Sequence, residues 1–140
     1  ENELEFPRIN SKEELVAYWI ESSDRDFVTM GHLFEKGDYH WALFMGHLVI
    51  EKLLKAYYVQ HIDDQPPFTH NLLRLAEKSG LDLDEDQKDF LVTVTAFNIR
   101  ARYDDYKSAF YKTCTEAYTT TWFYNIKRFR KWNKEQLLKS

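Results

Sequence analysis

Arg100 and Arg102 are the strongest chemical feature of this chain. A guanidinium stays protonated and presents five N–H donors in a planar fork, which suits a phosphate or a carboxylate. One reading gives both arginines to a bound anion. The other spends them on Asp104 and Asp105, which follow at once. His47 and Glu51 stand at i and i+4, so on a helix they share a face. As metal ligands they are only a pair, with no His-Glu-x2-His and no cysteine cluster beside them, so no metal centre and no cofactor are expected. An ion pair between Glu51 and an arginine of a neighbouring helix is the preferred reading.

Asn98 falls on an apolar stripe, where a buried amide must find partners. It reads either as a structural hydrogen bond across a bundle or as part of a polar pocket with His47, Glu51 and Tyr103. Lys52 reads as a solvated lysine or as a phosphate contact, and Lys55 as its neighbour on the solvated face. Thr69-His70-Asn71 precedes an apolar segment, with Thr69 as the natural N-cap. The free N–H groups of a helix start can hold an anion, although capping and loop closure explain the same residues. The expected anion-binding set is Arg100, Arg102, Lys52, Thr69, His70 and Asn71. No residue is assigned a catalytic role. Cys114 has no base beside it and reads as core.

These side chains need a scaffold, and the apolar periodicity supplies one. Glu1 to Asn10 carries Pro7 and no period, which predicts an arm or linker over 1–10 and a single helical domain over 11–140. Ser11 with Glu14 three residues on fits a capping box, opening a first helix that runs to about Glu35. Gly37 closes it and Asp38 opens a second, to about His61. Pro66 and Pro67 enforce a loop. A short third helix is expected from His70 to about Ser79. Asp82 or Asp84 opens a fourth, broken near Asp104-Asp105-Tyr106. A fifth is expected from about Ser108 to Leu138. The predicted fold is all-α, an antiparallel up-and-down bundle of four long helices plus one short helix.

Composition agrees. With 4 Gly and 3 Pro in 140 residues, long helices are favoured over a many-turned β fold. The single cysteine excludes an internal disulfide framework. No apolar run approaches the roughly 18 residues of a membrane span, and no signal-peptide pattern opens the chain. A cytoplasmic location without membrane partners is the expectation. The opening Glu1 in place of Met is compatible with a piece cut from something longer. A net charge of −4 argues against generic nucleic-acid binding. The charge is uneven: Thr120 to Ser140 holds six basic residues and one acidic. Aromatics interleave with that charge and point to nearly all sides of the last helix. Such a helix needs cover on more than one side, so Tyr118, Trp122, Phe129 and Trp132 are assigned to an interface with a second copy.

Three segments in order carry a family resemblance: Gly37-Asp38-Tyr39 through Ala56, Thr69-His70-Asn71-Leu72, and Arg100-Ala101-Arg102-Tyr103. The chain resembles the HEPN family, helical bundles named for higher eukaryotes, prokaryotes and nucleotide binding. The resemblance implies the HEPN bundle, a homodimer, a nucleotide or RNA ligand, and association with a small nucleotidyltransferase, in some cases as a toxin–antitoxin pair. The ribonuclease branch of the family pairs an Arg with a His at R-x4-6-H. No His follows His70 in this chain, so that motif is missing. The expectation is a non-catalytic binding or partner subunit. The alternatives are a degenerate ribonuclease toxin, borrowing His47 or His70, and a purely structural dimerisation module.

Overall fold

A computed structural model describes residues 11–139; the expected arm over 1–10 lies outside them. Helices α1 (Lys12–Glu35), α2 (Tyr39–His61), α3 (Leu72–Lys78), α4 (Glu85–Arg102), α5 (Asp104–Thr113) and α6 (Glu116–Lys139) account for the ordered elements, with no strand among the described residues. The fold is all-α. No described helix is long and apolar enough to cross a membrane.

Local chemistry explains the boundaries. Ser11 accepts from the Glu14 N–H and starts α1. At its end Gly37 takes φ +82°, a left-handed conformation, while the Gly37 and Asp38 N–H groups donate to Phe34 and Leu33. These are the two bonds of a Schellman motif. Gly80, at φ +79°, closes α3 in the same way. Asp38 stands at the α2 N-cap without a side-chain capping bond. Asp84, and not Asp82, opens α4 with a full capping box to Gln87.

Three expected boundaries are corrected. The expected fifth helix is two helices, because the Thr115 hydroxyl accepts from the Tyr118 N–H and starts α6 afresh. The break after α4 is a single extended residue, Tyr103, and Asp104-Asp105 form the first turn of α5 instead of a loop. The short third helix starts two residues late. Asn71, not Thr69, is its N-cap, and Thr69 holds the Asn71 N–H from outside.

Residue pairs give the topology. Ser23 meets Val49 and Lys12 meets Gln60, so α1 and α2 are antiparallel. Phe90 stacks on Phe129 and Phe97 meets Trp122, which sets α4 antiparallel to α6. Helix α2 is central: it packs on all five others and buries His47 and Glu51 among its apolar residues. That burial answers the expected fate of the α6 aromatics. Phe123 stacks on Phe34 of α1, and Trp122 and Phe129 stack on Phe90 of α4. Phe129 is left only 6% exposed. The chain itself therefore supplies most of the cover that was assigned to a second copy.

Candidate functional site

Helix α2 presents His47, Glu51 and Lys55 at successive turns toward α3 and α4. His47 is fully buried. Its Nδ1 lies 3.2 Å from the Val94 carbonyl of α4 and its Nε2 2.9 Å from Glu51 Oε1. His70, from the segment before α3, brings its Nδ1 to 2.9 Å from the same oxygen. Lys55 Nζ donates to the other oxygen, Oε2, at 2.9 Å. Burial alone pushes the Glu51 carboxyl up. The hydrogen bonds from His47, His70 and Lys55, with the Lys55 charge, outweigh it and hold the group down at about 2.

His70 arrives there because its segment is tied at several points. Thr69 Oγ1 accepts from the Asn71 N–H, Asn71 Oδ1 accepts from the Arg74 N–H, and the Leu72 N–H donates to Thr95 Oγ1 of α4 at 3.0 Å. The last bond fastens α3 to α4, and Thr95 in turn donates to the Leu91 carbonyl. Those same bonds consume most of the free N–H groups at the start of α3. The expectation of an anion site at Thr69, His70 and Asn71 is corrected accordingly: the start of this short helix is spent on capping and docking.

Four other expectations change. Among the described residues Glu51 pairs with two histidines and a lysine and with no arginine. Lys52 faces away from α4. It pairs with Asp26 of α1 at 2.6 Å and donates to Ser22 at 2.7 Å, so it is neither a solvated lysine nor part of the α4 site. Lys55 is likewise half-buried against Glu51 and Trp19, not on a solvated face. Asn98 is buried, but its amide oxygen accepts from Arg102 and no hydrogen bond joins it to His47 or Glu51. Tyr103 is 53% exposed at the α4–α5 junction and stands outside the buried cluster. The pocket expected from His47, Glu51, Asn98 and Tyr103 is thus two places.

The second place is the C-terminal end of α4. Arg102 donates Nε and Nη2 to Asn98 Oδ1, and its guanidinium carbon sits 5.2 Å from the Tyr103 ring centre. Arg100 lies over the Phe110 ring at 4.7 Å and reaches Thr113. Neither has a carboxylate within 4.0 Å among the described residues. The expected pairs with Asp104 and Asp105 do not form, because the extended Tyr103 separates the two helices. Burial pushes the nearby Tyr118 phenol and Cys114 thiol up, the thiol to about 11, with Arg100 opposing both.

Along the opposite flank of α4, a groove of about 510 Å³ runs between α4 and α6. Phe90, Trp122, Phe129 and Trp132 line it, and Asp84, Asp86 and Asp89 stand along one rim. Tyr118 lies tilted against Trp122, ring centres 6.4 Å apart, so all four residues assigned to an interface lie near this strip. Missed by reading the sequence was the convergence of His70 on Glu51. The His-x3-Glu spacing on α2 was the available signal, since a helix pair of this kind invites a third group from a loop.

No curated protein and no solved structure matches the chain. The model of one family does, the HEPN domain, over residues 16–137. That match spans α2, the His47–Glu51–His70 cluster and the arginine end of α4, and the chain belongs to the HEPN domain family.

Proposed function

We propose that this chain is a non-catalytic HEPN subunit that binds a nucleotide or nucleic-acid phosphate at the C-terminal end of α4 and acts, as a homodimer, beside a small nucleotidyltransferase. One observation carries the binding reading: the Arg102 guanidinium is held by Asn98, lies over an exposed tyrosine ring, and has no carboxylate partner among the described residues. Held on one edge, it keeps donors for a phosphate, and the tyrosine offers a face to a base. Arg100, fixed over Phe110, adds a second positive charge.

The geometry disfavours the ribonuclease alternative. His47 is fully buried with both ring nitrogens engaged, so it cannot exchange protons with a substrate hydroxyl. His70 directs Nδ1 at Glu51. Arginine, permanently protonated, cannot replace them. For the dimer, the aromatic groove between α4 and α6 is the surface of choice, with Trp122 and Trp132 as its half-buried anchors.

Calorimetry with ATP, GTP, a dinucleotide and a short single-stranded RNA tests the site. Binding that weakens with salt and falls about tenfold or more in Arg102→Ala supports it. No binding at millimolar ligand, or binding indifferent to Arg102→Ala and Arg100→Ala, removes the site from α4.

A further inference from the structure

The His47–Glu51–His70 cluster plays no part in the phosphate reading, and two imidazole nitrogens in it converge on one carboxylate oxygen. The Val94 carbonyl can only accept, so the 3.2 Å contact puts a hydrogen on His47 Nδ1. Nε2 faces a carboxylate oxygen at 2.9 Å, a contact that either a second ring proton or a cation between the two atoms makes attractive. Two acceptors at that distance repel unless positive charge lies between them. A second nitrogen, His70 Nδ1, converges on the same oxygen at 2.9 Å. The three ligand atoms all lie within 4.8 Å of one another.

The geometry points to a divalent transition-metal site of the zinc class, with His47 Nε2, Glu51 Oε1 and His70 Nδ1 as ligands. Two imidazoles and a carboxylate suit this class and leave a fourth position for water. The surroundings match a metal ligand's needs. The Val94 carbonyl fixes the tautomer and orientation of His47 from behind. Lys55 occupies Oε2, so Glu51 offers one oxygen only. Metal–ligand bonds of about 2.0–2.1 Å require ligand atoms about 3.3 Å apart in a tetrahedron. The two histidine–glutamate contacts must open slightly and the two nitrogens must close. His70 can supply that movement: it sits outside any helix, and its side chain is 56% exposed. It also gives an ion its way in. A bound ion would staple the segment before α3 to α2, with α4 behind it.

The test uses the whole chain, stripped with a chelator and titrated with Zn²⁺ and with Co²⁺. One equivalent should bind saturably, raise Tm, and give Co²⁺ the visible bands of low coordination number. His70→Gln should weaken binding by at least about 10–100-fold, the loss typical even of groups behind the ligands. His32→Gln with His61→Gln, exposed residues elsewhere, should leave it unchanged. His70→Cys should keep the site and add a thiolate-to-Co²⁺ charge-transfer band, which covers the case of a Gln variant that folds poorly. Arg102→Ala should not affect the titration, so failure here and failure of the phosphate site are separate results. The proposal is overturned by no saturable uptake, meaning that protons alone hold the cluster, by binding indifferent to His70→Gln, or by binding lost with His32 and His61.

Discussion

At Gly46 the central helix comes close to Ile126 of α6, and replacing it gives a sharp test of the packing. A Cβ built at Gly46 would lie 2.5 Å from Ile126 Cδ1 and 3.4 Å from Met30 Sδ. Carbon atoms in contact sit about 3.5–4.0 Å apart, so the Ile126 methyl must retreat by about 1 Å within a fully buried cluster. Overpacking of this kind costs about 1–3 kcal/mol. Against it, Gly→Ala inside a helix gains about 0.8–1.0 kcal/mol. Gly46→Ala should therefore destabilise by about 0–2 kcal/mol, a net figure that alone proves little. The double-mutant cycle isolates the contact. Ile126→Val removes the offending methyl at a cost of about 0.5–1.5 kcal/mol. In that background Gly46→Ala should turn stabilising by up to about 1 kcal/mol. The coupling should equal the overpacking term, about 1–3 kcal/mol. Urea denaturation followed by far-UV circular dichroism reads it, at one fixed protein concentration because association shifts apparent stability. Coupling below about 0.5 kcal/mol, the scatter of independent sites, would mean that α2 and α6 do not meet at Gly46 and Ile126.

Asn71→Ala should cost about 0.5–2 kcal/mol in the same assay, since it removes the cap of α3; a change under about 0.3 kcal/mol would return the cap to Thr69. Glu51→Gln, measured in chelator, should cost about 3–5 kcal/mol, because it leaves the half-buried Lys55 ammonium without its counter-charge. The buried Cys114 thiol, pushed up to about 11 from 9.0, should resist alkylation at pH 8 in the native state and react on unfolding. The raised value also fixes a sign: its stability contribution is present below pH 9 and is lost as pH rises from about 9 to 11. At about 1.4 kcal/mol per pH unit that is about 2–3 kcal/mol, and Cys114→Ala should flatten that alkaline limb.

The helices were legible where the signal is local. Ser11 with Glu14 and the glycines at 37 and 80 are local signals, and each cap or stop falls where those types require it, while Asp82 and Asp84 stood as equal candidates until Gln87 closed the capping box on Asp84. The break before α6 is equally local, but its signal is one threonine hydroxyl at Thr115 with no Gly or Pro beside it. A chain with many threonines hides such a cap among neutral ones. Lys52 and Lys55 show a different limit. They sit three apart at the border of the buried face, and a rotation of the helix by a few tens of degrees decides which faces α1 and which faces Glu51. Periodicity does not resolve that angle; the Asp26 and Ser22 contacts do.

The site was legible in parts and not in its assembly, for a reason that lies in the loops. His47 and Glu51 share a helix, so spacing alone joins them. His70 joins only because the Leu72 N–H finds Thr95, a bond across 23 residues that nothing near either residue announces. The arginines show the opposite case. Nearness in sequence left Asp104 and Asp105 open as partners for Arg100 and Arg102 beside the anion reading, but the one extended residue between α4 and α5 turns the next helix away. Tyr103 then does two things at once. It denies the arginines their nearest carboxylates and lays its own ring beneath Arg102. Filling that break with helix would carry α4 on into α5 and bring Asp104 within reach of Arg100 at i, i+4, the spacing at which opposite charges pair. That neither arginine has a carboxylate partner among the described residues is thus a consequence of one residue's ψ angle of 133°, and the phosphate-binding reading stands on that turn.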